Sequence, residues 1–149
     1  MEKILFVCTG NTCRSPMAEV LLQAKIETAA MTTVFSAGSA GLAAVPGQPA
    51  SLNSCRAVAE LGLTLKGHTS TMLSRELLLG AALVLTMTNA HREAIVQAVP
   101  ETVERVFSLS QYAGMPGEIT DPYGGDLDRY RQCCSEIQQK IDAVWRKLR

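Results

Sequence analysis

The residues with the strongest chemical potential lie near the beginning of the chain. Between Cys8 and Arg14 stand five residues, Thr9, Gly10, Asn11, Thr12 and Cys13. A cysteine thiolate is a nucleophile, and a guanidinium offers a planar fork of donors that binds two phosphate oxygens at once. A nucleophile beside an anion site is the arrangement that attack on phosphorus requires, so we expect the chemistry here.

The flanking sequence predicts the elements that position this stretch. Residues 4–7 form an apolar run typical of a strand, and Ser15 with Pro16 indicates an N-cap followed by a proline at the first helical position. Backbone N–H groups at a helix N-terminus have no intrahelical partner, and the helix dipole adds partial positive charge there. The loop is therefore predisposed to bind phosphate or a mimic of phosphate.

Further residues of the loop support this interpretation. Gly10 and Asn11 are the residue types that most readily adopt a positive φ, so successive amides can turn inward as a nest. The same field favours the thiolate of Cys8 over the thiol, and we expect Ser15 to donate its hydroxyl to the sulfur. Taken alone, Cys8 is equally typical of a buried core cysteine, and the spacing to Arg14 is a weak pattern. The strand before the loop and the helix after it favour a phosphate loop.

Bulk composition limits the other possibilities. With 149 residues, the chain suits one domain spanning residues 1–149. Its 14 lysines and arginines balance its 14 aspartates and glutamates, which argues against nucleic acid or an anionic membrane as a partner. The longest apolar run, residues 77–87, is about half of what a membrane span needs, and the start of the sequence lacks the pattern of a leader, so we expect a soluble protein that is not exported. Five irregularly spaced cysteines suit a reducing cytoplasm and neither a disulfide framework nor zinc.

The rest of the chain alternates strands with helices. The sequence predicts strands at 4–7, 32–36, 83–87 and 105–108, and helices at 16–30, 49–61, 74–79, 89–99 and 127–148. This alternation is typical of an α/β three-layer sandwich, with a four-stranded parallel sheet and helices on both faces. Ligand sites in such sheets lie beyond the carboxyl ends of the strands, which is where Cys8 stands.

The continuous stretch from Val7 to Glu19, VCTGNTCRSPMAE, resembles the phosphate loop of the low-molecular-weight protein tyrosine phosphatase family. The resemblance implies that family's fold and a phosphatase that forms a phosphocysteine on Cys8, with no metal or cofactor. We expect a monomer acting on phosphorylated proteins. By itself Asp121-Pro122 is ordinary turn chemistry, but the family carries an Asp-Pro general acid near the last helix, which implies that role for Asp121. The resemblance also implies that His68 and Ser36 support Asn11.

Two positions bear on the phosphorylated residue. Tyrosine-specific members carry a branched aliphatic residue where Thr12 stands, and a second aromatic residue directly after the one at Tyr123. Here Gly124 follows Tyr123, which resembles the bacterial branch that hydrolyses phosphoarginine. A guanidinium can hydrogen-bond Thr12, pair with Asp121 and stack on Tyr123. Phosphotyrosine is the alternative substrate, and Thr12 is then a neutral replacement with no bearing on specificity.

Two other functions use the same loop. Arsenate reductases share the fold but pass electrons through further cysteines, for which Cys55, Cys133 and Cys134 are the candidates; adjacent cysteines on one helix make a poor dithiol, which favours a structural role. A phosphate-dependent binding module would leave Cys8 and Asp121 without a task. Within the loop, Cys13 is placed to form a disulfide with an oxidised Cys8, so the sequence predicts a redox-sensitive enzyme.

Overall fold

A four-stranded parallel sheet forms the centre of the computed structural model, which describes residues 1–149. Its strands are β1 (Glu2–Cys8), β2 (Phe35–Gly41), β3 (Leu83–Thr86) and β4 (Val106–Ser108). They lie in the order β2-β1-β3-β4, and all three neighbouring pairs are parallel. The crossover connections between parallel strands carry the helices, as the handedness and length of such connections require.

Six helices cover the two faces of the sheet. They are α1 (Arg14–Thr28), α2 (Leu52–Ala59), α3 (Arg75–Gly80), α4 (Asn89–Ala98), α5 (Leu109–Ala113) and α6 (Leu127–Leu148). The larger apolar core unites one sheet face with α1, α2, α5 and α6, while the smaller one unites the other face with α3 and α4. This confirms the predicted three-layer α/β fold.

The central strand β1 joins the two cores. Ile4, Phe6 and Cys8 point into the larger core, and Leu5 and Val7 point into the smaller one. Burial on both faces explains the uninterrupted apolar run in the sequence, because alternate side chains of a strand face opposite sides of a sheet. Cys8 therefore stands at the carboxyl end of a strand that is packed on both faces of the sheet.

The second strand differs from its prediction. Residues 32–36 carry β-branched and aromatic side chains, yet the strand found is Phe35–Gly41, rich in glycine, alanine and serine. It pairs with β1 over its full length of 7 residues. Because side-chain propensity for strands is weak beside pairing with a buried central strand, the register of β1 determines where β2 lies.

Other elements match their predictions more closely. The predicted helices at 74–79 and 89–99 are present as α3 and α4, capped by Ser74 and Thr88, whose side chains accept from Leu77 N and His91 N. The last helix has the predicted bounds. The helix predicted at 49–61 is shorter and begins after its cap Ser51. A 3₁₀ helix, Pro100–Arg105, and the short α5 were not predicted.

Gly41, at the end of β2, lies against the backbone of the phosphate loop. A Cβ atom at this position would stand 2.6 Å from Thr9 O and 2.9 Å from Asn11 N. Both contacts are with main-chain atoms, which cannot move aside as the end of a flexible side chain can. The loop can approach the sheet edge only because residue 41 has no side chain.

We expect Gly41→Ala to destabilise the protein by about 1–3 kcal/mol through overpacking and to weaken its binding of inorganic phosphate. Gly38→Ala on the same strand is the matched control, because its Cβ would meet the flexible end of Lys3, at 2.7 Å from Cε. Chemical unfolding and calorimetric phosphate binding measure the two effects. Equal behaviour of both variants would contradict the role given to Gly41.

Candidate active site

The helix after the loop begins earlier than its sequence indicates. It starts at Arg14, and Cys13 occupies the N-cap position without a side-chain cap hydrogen bond. Ser15 is therefore not the cap, and its hydroxyl is free for another partner. Its Oγ lies 2.8 Å from the Sγ of Cys8, which is only 3% exposed. The predicted contact between Ser15 and the sulfur is present, although the predicted cap is wrong.

Asn11 holds the loop in its shape. Its φ is 57°, in the left-handed region, whereas Gly10 is not in that region. The amide Nδ2 donates to Ser15 Oγ at 2.8 Å and to Ser39 Oγ at 2.9 Å. The amide Oδ1 accepts from Thr71 N at 2.9 Å. A non-glycine residue with positive φ is strained and persists where surrounding contacts determine it, which these hydrogen bonds do.

The partners of Asn11 fix the direction of a hydrogen-bond chain. Because Thr71 N–H identifies the oxygen of the amide, both amide hydrogens go to the two serines. Ser39 passes its own hydrogen to Glu19 Oε1 at 2.5 Å. Ser15 accepts from Asn11 and keeps one hydrogen to give. The chain therefore leaves a hydroxyl hydrogen 2.8 Å from the Cys8 sulfur that can be donated to it.

The supporting serine is Ser39, and the prediction of Ser36 is wrong. Side chains alternate along a strand, so Ser36 lies on the opposite face of β2 from Ser39. The register pairs Phe6 with Ser39, which puts Ser39 on the face of the sheet that Cys8 shares. His68 lies beside Asn11 as predicted, with Nε2 at 2.8 Å from the backbone oxygen of Asn11.

Arg14 is a buried guanidinium with one arm already held. It is 4% exposed, and its Nη1 donates to Ile119 O at 2.8 Å. Its Nη2 lies 3.8 Å from Asp121 Oδ2. Ile119 is in turn tied to the sheet, since its N–H donates to Met87 O at 3.1 Å. These contacts aim the free edge of the guanidinium at the loop.

Asp121 stands at the mouth of the site rather than inside it. Its side chain is 54% exposed, and its Oδ1 accepts from Tyr123 N at 3.0 Å. This local hydrogen bond across Pro122 is an Asx turn, which holds the carboxylate in a defined direction. An exposed but oriented carboxyl group is suited to exchange protons with a bound substrate and with water.

One cavity is lined by eight of the predicted site residues. It has a volume of about 260 Å³ and is lined by Cys8, Thr9, Gly10, Thr12, Cys13, Arg14, Asp121 and Tyr123. Tyr123 is 80% exposed and forms one aromatic wall. The volume of the cavity suits a phosphoryl group together with the planar end of a side chain. No cluster of three or more histidine, cysteine, aspartate or glutamate side chains that could hold a metal ion is present.

Sequence reasoning did not identify several contacts of the loop. His91 Nε2 lies 3.0 Å from Thr9 Oγ1, and Tyr130 Oη lies 3.4 Å from Cys13 Sγ. Burial raises the pKa of Tyr130 to about 12, so its hydroxyl remains protonated. These residues come from helices far along the chain, and no local spacing indicates them. The Cys8–Cys13 disulfide stays a prediction, since the two thiols contact different partners here.

Two of the cysteines outside the loop, Cys133 and Cys134, have a structural role. All five cysteines are free. Cys133 and Cys134 are both buried in α6. Burial raises the pKa of Cys133 to about 12 and also raises that of Cys134. Such thiols are protonated at neutral pH and unreactive, which argues against an electron relay through them.

We expect Ser39→Ala to lower kcat/KM for a phosphorylated substrate by about tenfold, because it leaves an amide hydrogen of Asn11 and the carboxylate of Glu19 without their partner. Ser36→Ala, on the other face of the same strand, is the control and should stay within twofold of the wild type. Steady-state kinetics measure both. An equal loss of kcat/KM in the two variants would show that the substitutions act by perturbing β2 and not through Asn11.

Comparison with known proteins agrees with the geometry. Residues 3–149 match the model of the low molecular weight phosphotyrosine protein phosphatase family. A protein-arginine-phosphatase of Geobacillus stearothermophilus is 40% identical over 147 residues, which are 98% of this chain and 95% of the relative. A low molecular weight protein-tyrosine-phosphatase, PtpB of Staphylococcus haemolyticus, is 36% identical over 91% of each chain.

A solved structure is similar throughout. It is a YwlE arginine phosphatase mutant with a phosphorylated active-site serine, which is 36% identical and superposes with a TM-score of 0.92 over 98% of this chain and 95% of that one. The sequence match, the shared fold and a cysteine at the head of the loop between β1 and α1 lead to one assignment. The chain belongs to the low molecular weight phosphotyrosine protein phosphatase family.

Proposed function

We propose that this protein hydrolyses phosphoarginine residues in proteins through a phosphocysteine on Cys8. The observation that carries the proposal is the composition of the cavity, in which a hydroxyl on Thr12 and a single aromatic wall, Tyr123, surround the nucleophile. A relative that is 40% identical bears the name protein-arginine-phosphatase, which supports it.

The first step transfers the phosphoryl group to the enzyme. The Sγ of Cys8 attacks phosphorus while the bond between phosphorus and the guanidinium nitrogen breaks. Asp121 donates a proton to the departing nitrogen, so that arginine leaves as a guanidinium. The loop amides and Arg14 hold the equatorial oxygens of a loose transition state, in which positioning and electrostatics supply the catalysis.

The second step returns the enzyme to its starting state. Water attacks the phosphorus of phosphocysteine, and the carboxylate of Asp121 takes its proton. The bond between sulfur and phosphorus breaks, the electron pair returns to Sγ, and inorganic phosphate leaves. The hydroxyl of Ser15, 2.8 Å from the sulfur, stabilises the thiolate as it departs.

Recognition of the leaving group follows from its donors. A guanidinium is planar, so it can stack on the exposed ring of Tyr123, and it carries N–H groups that Thr12 Oγ1 and Asp121 can accept. A phenol offers no such donors. Phosphotyrosine is the competing substrate, since a relative that is 36% identical is named a tyrosine phosphatase.

The wider setting is part of the same proposal. None of the helices is long and apolar enough to cross a membrane. We infer one phosphatase domain that acts in the cytoplasm as a monomer on phosphorylated proteins, without nucleic acid or membrane as a partner.

The choice of substrate is tested by Thr12→Ile, assayed on phosphoarginine and phosphotyrosine side by side. We expect the ratio of kcat/KM for phosphoarginine to that for phosphotyrosine to fall by about tenfold or more, because the new side chain removes an acceptor and adds apolar surface for a phenyl ring. Thr12→Ser keeps the hydroxyl and should keep phosphoarginine preferred. An equal loss of both activities in Thr12→Ile would remove the specificity argument.

The covalent step is tested by Asp121→Asn. We expect its kcat on phosphoarginine to fall by about 10²–10⁴, the usual contribution of a positioned acid. p-Nitrophenyl phosphate needs no acid to release its phenolate, so with this substrate the variant should show a burst and accumulate a phosphorylated protein detectable by mass spectrometry.

Cys8→Ala, which offers no nucleophile, is the control for that experiment and should show neither a burst nor a phosphorylated protein. Turnover at the wild-type rate in Cys8→Ala would overturn the phosphocysteine mechanism. Phosphate binding by the wild type without any turnover would instead favour a phosphate-dependent binding module.

A further inference from the structure

A histidine from the far side of the sheet contacts the residue next to the nucleophile. His91 is the third residue of α4, and its side chain is buried, at 8% exposure. Its Nε2 lies 3.0 Å from Thr9 Oγ1. Its Nδ1 is also buried and has no hydrogen-bond partner among the atoms of the protein. Thr9 is exposed and lines the cavity that holds Cys8.

The orphan nitrogen decides between the two tautomers of the ring. If Nε2 accepted the hydroxyl hydrogen of Thr9, the only ring hydrogen would be on Nδ1, leaving a buried N–H without an acceptor. If Nε2 carries the hydrogen and donates to Thr9, Nδ1 is a buried acceptor without a donor. Orphaned buried N–H groups are the rarer of the two defects, so the Nε2–H tautomer is favoured.

The charges around His91 bear on whether the ring is neutral. Burial and the nearby guanidinium of Arg14 lower the pKa of His91, while Glu118 and Asp121 oppose that shift. The ring is therefore neutral near neutral pH and carries one N–H. Because Nδ1 has no partner, we place that single ring hydrogen on Nε2.

We propose that His91 is a positioning residue whose Nε2–H donates to Thr9 Oγ1, so that the Thr9 hydroxyl is left to donate its hydrogen to an oxygen of the bound phosphoryl group. This proposal rests on one part of the proposed function, namely that the cavity binds a phosphoryl group. The Thr9 hydroxyl then adds a side-chain donor to the amides and guanidinium of the loop. A neutral histidine sets its direction without adding charge.

The tautomer is observable directly by NMR of the ring nitrogens. The chain has only 2 histidines, so a His68→Gln variant identifies the signals of His91. We expect the Nε2–H tautomer at neutral pH. The Nδ1–H tautomer, or a doubly protonated ring, would overturn the proposal. This measurement uses a protein in which both Thr9 and His91 are intact.

Binding of inorganic phosphate, measured by calorimetry, tests the donor. Thr9→Val removes the hydroxyl at nearly constant shape and should weaken binding roughly tenfold, as expected for one hydrogen bond to a charged group. Thr9→Ser keeps the hydroxyl and should lose much less. Unchanged phosphate affinity in Thr9→Val would overturn the proposal.

A double-mutant cycle connects the two residues. His91→Leu should weaken phosphate binding, while His91→Gln, whose amide can donate from nearly the position of Nε2, should recover most of the loss. Combining Thr9→Val with His91→Leu should add little to Thr9→Val alone, and full additivity would contradict the coupling. Should His91→Leu fail to fold, the tautomer and the Thr9 variants still decide.

Failure of this inference differs from failure of the proposed function. Neither the tautomer nor the affinity for inorganic phosphate depends on the leaving group. Absence of phosphoarginine hydrolysis in the wild type would therefore reject the proposed substrate while leaving the role of His91 intact.

Discussion

The backbone of Asn11 is the constraint on which the site depends. Asn11 turns the loop through the left-handed region, and that conformation persists because side-chain and backbone atoms from β2, α1 and the segment before α3 bind it. The side-chain amide of Asn11, whose hydrogen bonds offset the backbone strain, also orients Ser15, which contacts the sulfur of Cys8. Loop shape and thiolate stabilisation are thus properties of one residue.

The sheet supplies the rigidity that this arrangement needs. Cys8 ends a strand that is buried on both faces of the sheet, and its own side chain packs into the larger core. Gly41 lets the loop rest on the edge of that sheet at main-chain distance. A phosphoryl transition state is stabilised chiefly by groups that are already in place, so rigidity here serves catalysis as well as stability.

Local chemistry made most of the fold and the core of the site predictable. The apolar run of β1 and the helix caps Ser74 and Thr88 are strong local patterns, and the loop motif is continuous in sequence. Contacts set by register were not predictable in the same way. Ser36 and Ser39 are the same residue type three positions apart, and only the pairing of β2 with β1 decides which one faces Asn11.

Contacts from distant elements were the least visible. His91 and Tyr130 reach the loop from α4 and α6. In the sequence, neither residue is distinguished from the other residues of its helix. The predicted start of the first helix was also wrong. Ser15-Pro16 has the chemistry of a cap, but the helix begins at Arg14, and the Ser15 hydroxyl contacts the sulfur of Cys8 instead.

Ile119 joins the two halves of the site through its main chain alone. Its carbonyl holds Arg14 and its N–H holds the end of β3, so the segment that carries Asp121 leaves the sheet from a fixed point. Residues of that segment other than Asp121 can change in sequence without disturbing the hydrogen bond between Ile119 and the guanidinium. The rim of the cavity can therefore vary while Cys8, Arg14 and Asp121 keep their places.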